Sequence, residues 1–182
     1  MKAAINHRLN VGRINRLLIL PFLFLSYQGL AQRKISALGP EHPPRPITIY
    51  VNPAQGLSFG AFYQGSSGGT VIIYPNGSRS TTGSVIQTSQ GVSFSPAIFE
   101  VDAEPGTVVT ISNGPDVILT GSTGGTVSLH IGNADLGSPF TTTAVSPART
   151  QIRIGGTLTL TNPLASPPGN YSGTFSVTFI QP

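Results

Sequence analysis

Apolar and polar residues alternate with a period of two through most of this chain. Val127, Leu129 and Ile131 are separated by Ser128 and His130, and Leu158 and Leu160 by Thr157, Thr159 and Thr161. Tyr171, Gly173, Phe175, Val177 and Phe179 fall on one side of an extended segment. Ser172, Thr174, Ser176 and Thr178 fall on the other. One apolar face and one hydroxylated face is the pattern of antiparallel sheets with one side open to water. Twelve strands are predicted: 47–51, 57–62, 70–74, 84–88, 97–103, 107–112, 117–120, 126–131, 141–145, 151–154, 157–161 and 171–180. Gly, Pro, Asn and Ser clusters punctuate them, and Pro75-Asn76-Gly77 is a strong turn signal. No apolar period of 3.6 residues reaches helical length after the N-terminal region. The expected fold is all-β, an antiparallel sandwich over residues 47–182.

The first 46 residues read differently. Lys2, Arg8, Arg13 and Arg16 precede the apolar run Leu17–Leu25, and Gly29 and Ala31 place small residues before Gln32. These are the parts of a secretory signal peptide cleaved between Ala31 and Gln32. The run is far shorter than the roughly 20 apolar residues of a spanning helix. The expectation is export, to the extracellular space, the outer cell surface or the periplasm, with no integral membrane segment in the mature protein. Residues 32–46 are polar and proline-rich and read as an extended arm.

Charge then excludes one class. Four of the ten basic residues lie in the leader, which leaves six against six acids. The mature chain has no basic footprint for nucleic acid. There is no Cys, and only His42 and His130 remain after the leader. Neither a disulfide nor a zinc cluster is expected, and no cofactor is called for.

Three features could carry chemistry. Gly65-Ser66-Ser67-Gly68-Gly69 fits a nucleophile elbow, with Asp116 and His130 following in order. That mechanism needs a helix after the serine, and here a strand is expected. A serine hydrolase using Ser67 is therefore a minor alternative. The same string recurs as Gly121–Val127 (GSTGGTV), which favours a shared bend whose glycines take positive φ. Glu100, Asp102 and Glu104 share one side of a strand, about 7 Å apart in succession. They are at most weak candidates for a metal, because calcium ligands must converge. A solvated strand that resists edge pairing accounts for them better. Tyr50, Tyr63 and Tyr74 are the aromatics available to a carbohydrate-binding module, the main alternative function.

Leu57–Phe62, Gly68–Val71, Pro75–Gly83, Pro96–Val101, Pro105–Thr107, Ile154–Leu158 and Pro168–Phe175 together resemble bacterial domain-of-unknown-function family 4402, over about residues 48–180. The closing segment is also similar to spore coat protein U and to chaperone–usher pilins. The resemblance implies an immunoglobulin-like sandwich of adhesin or pilin type, with no catalytic residues. It further implies a secreted, non-enzymatic surface protein whose partners are itself or related surface subunits. In such proteins a strand is supplied by a neighbour. The segment with Ile47, Ile49 and Val51 is then expected either to complete its own sandwich or to enter the next subunit. Tyr171, Phe175, Val177 and Phe179 form the closing strand.

Overall fold

The computed structural model describes residue 43 and residues 45–88 and 91–182; the proposed leader, its cleavage site at Ala31 and Gln32, and most of the arm lie outside them. Thirteen strands are present among the described residues: β1 (Thr48–Val51), β2 (Ser58–Phe59), β3 (Phe62–Ile73), β4 (Arg79–Gln87), β5 (Phe94–Ser95), β6 (Ala97–Asp102), β7 (Val108–Asn113), β8 (Val117–Gly121), β9 (Thr126–Ala134), β10 (Phe140–Thr141), β11 (Thr150–Leu160), β12 (Tyr171–Ser172) and β13 (Val177–Ile180). Among the described residues the only helical piece is a single 3₁₀ turn at Pro53–Gln55, capped by the Asn52 side chain. The fold is an antiparallel β-sandwich, as the alternation predicts.

The larger sheet runs β1-β6-β11-β9-β8-β12, with β3 also paired to β11 and β4 outside β3. The second layer is the three-stranded sheet β10-β7-β13, and β2 and β5 pair as a separate two-stranded ribbon. Alternating residues meet between the layers: Val71, Val101, Leu129, Ile152, Ile154 and Leu158 from the first, Val109 and Phe140 from the second, all buried. Phe99 of β6 and Phe179 of β13 touch across the gap, their rings 5.4 Å apart. Aromatic pairs at this separation add to what their area contributes.

β11 is the spine. Its first half, Thr150–Ile154, pairs with β6; its second half, Gly156–Leu160, pairs with β3; β9 pairs along Ile154–Thr159. Two strands therefore succeed one another along one flank of β11, and the changeover falls at Gly155-Gly156. A side chain on Gly155 would overlap the carbonyl oxygen of Ile73, and one on Gly156 would approach the His130 carbonyl and Leu57. At the far end of the pairing, side chains on Gly68 and Gly69 would overlap carbonyls of β11 and β4. Glycine is required here because backbones approach too closely for a Cβ.

The structure corrects several sequence expectations. The expected strands 151–154 and 157–161 are one strand, since a glycine pair in a sheet interior marks a bulge as readily as a break; the register shifts between Ile154 and Gly156. Gly65–Gly69 is not a bend before a strand. It lies inside β3, where the register with β4 shifts between Gln64 and Gly69. Only the second copy, between β8 and β9, is a turn with positive φ, at Gly124 and Gly125. The expected strand 57–62 shrinks to Ser58–Phe59, and 141–145 to Phe140–Thr141. The closing strand 171–180 keeps its alternation of half-buried and exposed residues but splits: β12 pairs with β8 in one sheet and β13 with β7 in the other.

Replacing Gly155 by alanine is expected to destabilise the protein by about 2 kcal/mol or more, since backbone must move. Gly77→Ala, at a turn with open space around it, should cost about 1 kcal/mol from its left-handed φ alone. Urea unfolding midpoints of the two variants check the order.

Candidate functional site

The residues singled out for chemistry do not converge. Ser67 sits in the irregular stretch of β3, its N–H donating to Ser84 Oγ and its carbonyl accepting from the same hydroxyl. No helix follows; β3 continues to Ile73. His130 and Asp116 do pair, Nδ1 to Oδ1 at 2.7 Å, and both are well exposed. His130 stands opposite Thr157 on β11, and Thr157 stands opposite Ile72 of β3. Ser67 is thus two strands from His130 and five residues along β3 from the residue level with it.

The three carboxylates also separate. β6 lies between β1 and β11, so it is not an edge strand, contrary to the sequence expectation. Two arginines hold its acids instead. Arg149 Nη1 donates to Glu100 at 2.9 Å, and Arg45 Nη2 donates to Asp102 at 2.7 Å. Glu104 lies beyond β6 in the turn before β7. No group of three His, Asp or Glu able to hold a metal occurs among the described residues. The hydrogen bond from Arg45 holds the Asp102 carboxyl below its ordinary value of 3.8, against the opposing effect of desolvation.

Nor do the three tyrosines form a platform. Tyr63 stands at the start of β3 and Tyr74 just past its end, and the Arg149 guanidinium covers the Tyr50 ring, 3.5 Å from its centre. A sugar-binding surface needs stacking faces side by side, and this arrangement provides none among these three.

Two features remain. The first is a cavity of about 540 Å³ between residues 57–64 on one side and residues 166–175 on the other. Leu119, Leu129, Leu158 and Leu160 line it from the inner face of the main sheet. No charged side chain and no histidine lines it. Gln64 does, and its Nε2 is buried without a hydrogen-bond partner. The 57–64 wall is held by Arg79. Its Nη1 donates to the carbonyls of Phe59 and Ala61 at 3.0 and 3.1 Å, its Nη2 to Thr88 at 2.9 Å, and its guanidinium stacks on Phe94. Gly60, with φ +68°, leaves room for that guanidinium. Opposite, Tyr171 Oη donates to the Pro167 carbonyl at 2.6 Å, and burial raises its pKa. Arg79 is a residue that sequence reasoning missed. Its only signal was a lone basic residue entering a strand otherwise free of charge.

The second feature is the outer edge of β13. Among the described residues this strand pairs with β7 alone, and the small sheet ends there. Its inward residues Val177 and Phe179 are only half-buried, as are Phe175 just before it and Ile47 and Ile49. β1 itself pairs with β6 of the same chain, from Thr48 opposite Asp102 to Val51 opposite Phe99. The Ile47 N–H donates to Gln181 Oε1 at 3.1 Å, so the start of β1 meets the end of β13.

Together these define a class: a non-helical sandwich whose smaller layer stops at a partly covered strand. The profile of the domain-of-unknown-function family DUF4402 matches residues 49–180. The chain belongs to that family. No curated protein and no solved structure matches it. No helix among the described residues is long and apolar enough to cross a membrane.

Arg79→Met should lower stability by about 2–3 kcal/mol, because hydrogen bonds from a charged donor are lost and carbonyls are left unpaired. Thermal and urea unfolding measure it. The Arg45–Asp102 pair should act with a defined sign. Its contribution is present above the ordinary carboxylate range and disappears as pH falls through the lowered value of Asp102. Asp102→Asn should therefore lower stability slightly at neutral pH and leave it unchanged in acid, so that the acid limb of the stability–pH profile becomes shallower.

Proposed function

We propose that this protein is an exported, non-enzymatic structural or adhesin-like subunit of the cell surface, which assembles by accepting a strand at the free edge of β13. The observation that carries this reading is the half-covered pair Val177 and Phe179, with Phe175 just before them, on a strand that has no partner on one edge among the described residues. An unpaired edge is a template for another strand, and half-buried apolar side chains gain when one arrives. The separation of Ser67 from the Asp116–His130 pair supports the non-enzymatic part.

The donor in this reading is the arm of a second copy. Residues 32–39 (QRKISALG) precede the first proline of the arm, so each carries the backbone N–H that a ladder needs. Because β1 is already used within its own sheet, the donated segment lies before Ile47. The leader, removed on export, frees its N-terminus.

Deleting residues 32–42 from the mature protein should abolish assembly in size-exclusion chromatography and electron microscopy while leaving the unfolding midpoint in place. Ile180→Lys, which adds a charge at the edge on the solvent side, should weaken assembly in the same way. Filaments or oligomers of unchanged size from both variants would refute strand acceptance at β13. Ser67→Ala should alter neither assembly nor stability, and any ester hydrolysis by the wild type that this variant lacks would refute the non-enzymatic reading.

A further inference from the structure

The chain contains two Asn-Gly pairs, Asn76-Gly77 and Asn113-Gly114. In such a pair the backbone nitrogen of the glycine can attack the side-chain carbonyl carbon of the asparagine, because no side chain stands in its way. We infer that Asn76 is a site of spontaneous self-modification, converted through a cyclic imide to aspartate and isoaspartate, and that the fold spares Asn113. A bond forms between the Gly77 nitrogen and Asn76 Cγ, and the bond from Cγ to Nδ2 breaks. The glycine proton leaves with the amide nitrogen as ammonia. Water then opens the ring at either carbonyl. One opening gives aspartate, and the other leaves the chain running through the side chain as isoaspartate. Only water is consumed.

Three observations separate the two pairs. Asn76 Oδ1 accepts from the Ser78 N–H at 2.9 Å and from Ser78 Oγ at 2.7 Å. These donors face the oxygen on which negative charge builds as the carbonyl is attacked, the arrangement that lowers the barrier to acyl transfer. Asn113 is held at its other atom. Its Nδ2 donates to the carbonyls of Ile131 and Gly132 at 3.3 and 2.9 Å, which ties the group that has to leave. The third observation is the surroundings. Both glycine N–H groups donate to a carbonyl at 2.9 Å, Gly77 to Tyr74 and Gly114 to Ser176, and each must let go before its nitrogen can attack. Gly77 is at the tip of the β3–β4 hairpin, with nothing within 4 Å of the place a Cβ would take, so the tip opens without disturbing packing. Gly114 is pressed against Ser176, and Asn113 stands opposite Val177 in the β7–β13 ladder. Freeing Asn113 therefore means parting two strands.

The test holds the mature full-length protein in mildly alkaline buffer made with heavy-oxygen water. Peptide mass mapping follows both sites, with electron-transfer fragmentation to tell aspartate from isoaspartate. Heavy oxygen is expected at residue 76, in both products, together with a more acidic form of the protein on anion exchange. In the folded protein Asn76 should convert about tenfold faster than Asn113 or more, the equivalent of the two hydrogen bonds that hold the Asn113 amide. In strong urea the two rates should draw level, since each asparagine then precedes an unconstrained glycine. Ser78→Ala should slow conversion of Asn76 about three- to tenfold, as loss of one neutral hydrogen bond implies. Its unfolding midpoint establishes that it folds. An Asn76 that stays an amide, or equal rates at the two sites in the folded protein, would overturn the inference. A difference that persists in urea would trace it to local sequence and overturn the part given to the fold. An unchanged or faster rate in Ser78→Ala would overturn the role given to its donors. None of these outcomes bears on strand acceptance at β13.

Discussion

Close backbone contact along β11 is the constraint on which this structure depends. One strand has to serve β6 over its first half and β3 over its second, with β9 alongside. That succession works only if the chain can pass a neighbouring carbonyl with no Cβ between them, which is why Gly155 and Gly156 stand at the changeover and Gly68 and Gly69 at the far end. With no disulfide available, the fold rests on ladder hydrogen bonds and the buried aliphatic layer that this spine organises. The β3–β4 hairpin then needs its own fastening. Arg79 gives it, by gathering the carbonyls of Phe59, Ala61 and Thr88 around one guanidinium.

The candidate sites follow from how the two layers are sized. The main sheet is wide and the second has three strands, so the second covers only part of the first. The uncovered part becomes the cavity above Leu119, Leu129, Leu158 and Leu160, and among the described residues the small sheet ends at β13. The polar outer surface contributes less. Its ion pairs, Arg45–Asp102 and Arg149–Glu100, are partly exposed, and pairs of that kind add little to stability. They do fasten β1 against β6.

Alternation was the most legible feature of the sequence. It identified the sandwich, most of the strands and the inward series Phe175, Val177, Phe179, because a period of two has a single structural reading when half of each strand is buried. Glycine was the least legible. GSSGGTV and GSTGGTV look alike, yet one runs inside a strand and the other turns a hairpin, and only the partner strand decides which. The break between β12 and β13 was hidden for a related reason: a segment that moves from one sheet to the other keeps its alternation throughout. The acidic series was placed on the correct face, but its arginine partners come from residues 45 and 149, too distant in sequence to be paired by spacing. The cavity had no local signal, since its two walls, residues 57–64 and 166–175, are more than a hundred residues apart in sequence.

Amide hydrogen exchange on assembled and monomeric protein tests the central claim most directly. The account predicts that amides of β11 are strongly protected in both forms, while amides on the outer edge of β13 exchange quickly in the monomer and become protected on assembly. Assembly with no change in protection between Val177 and Ile180 would contradict it.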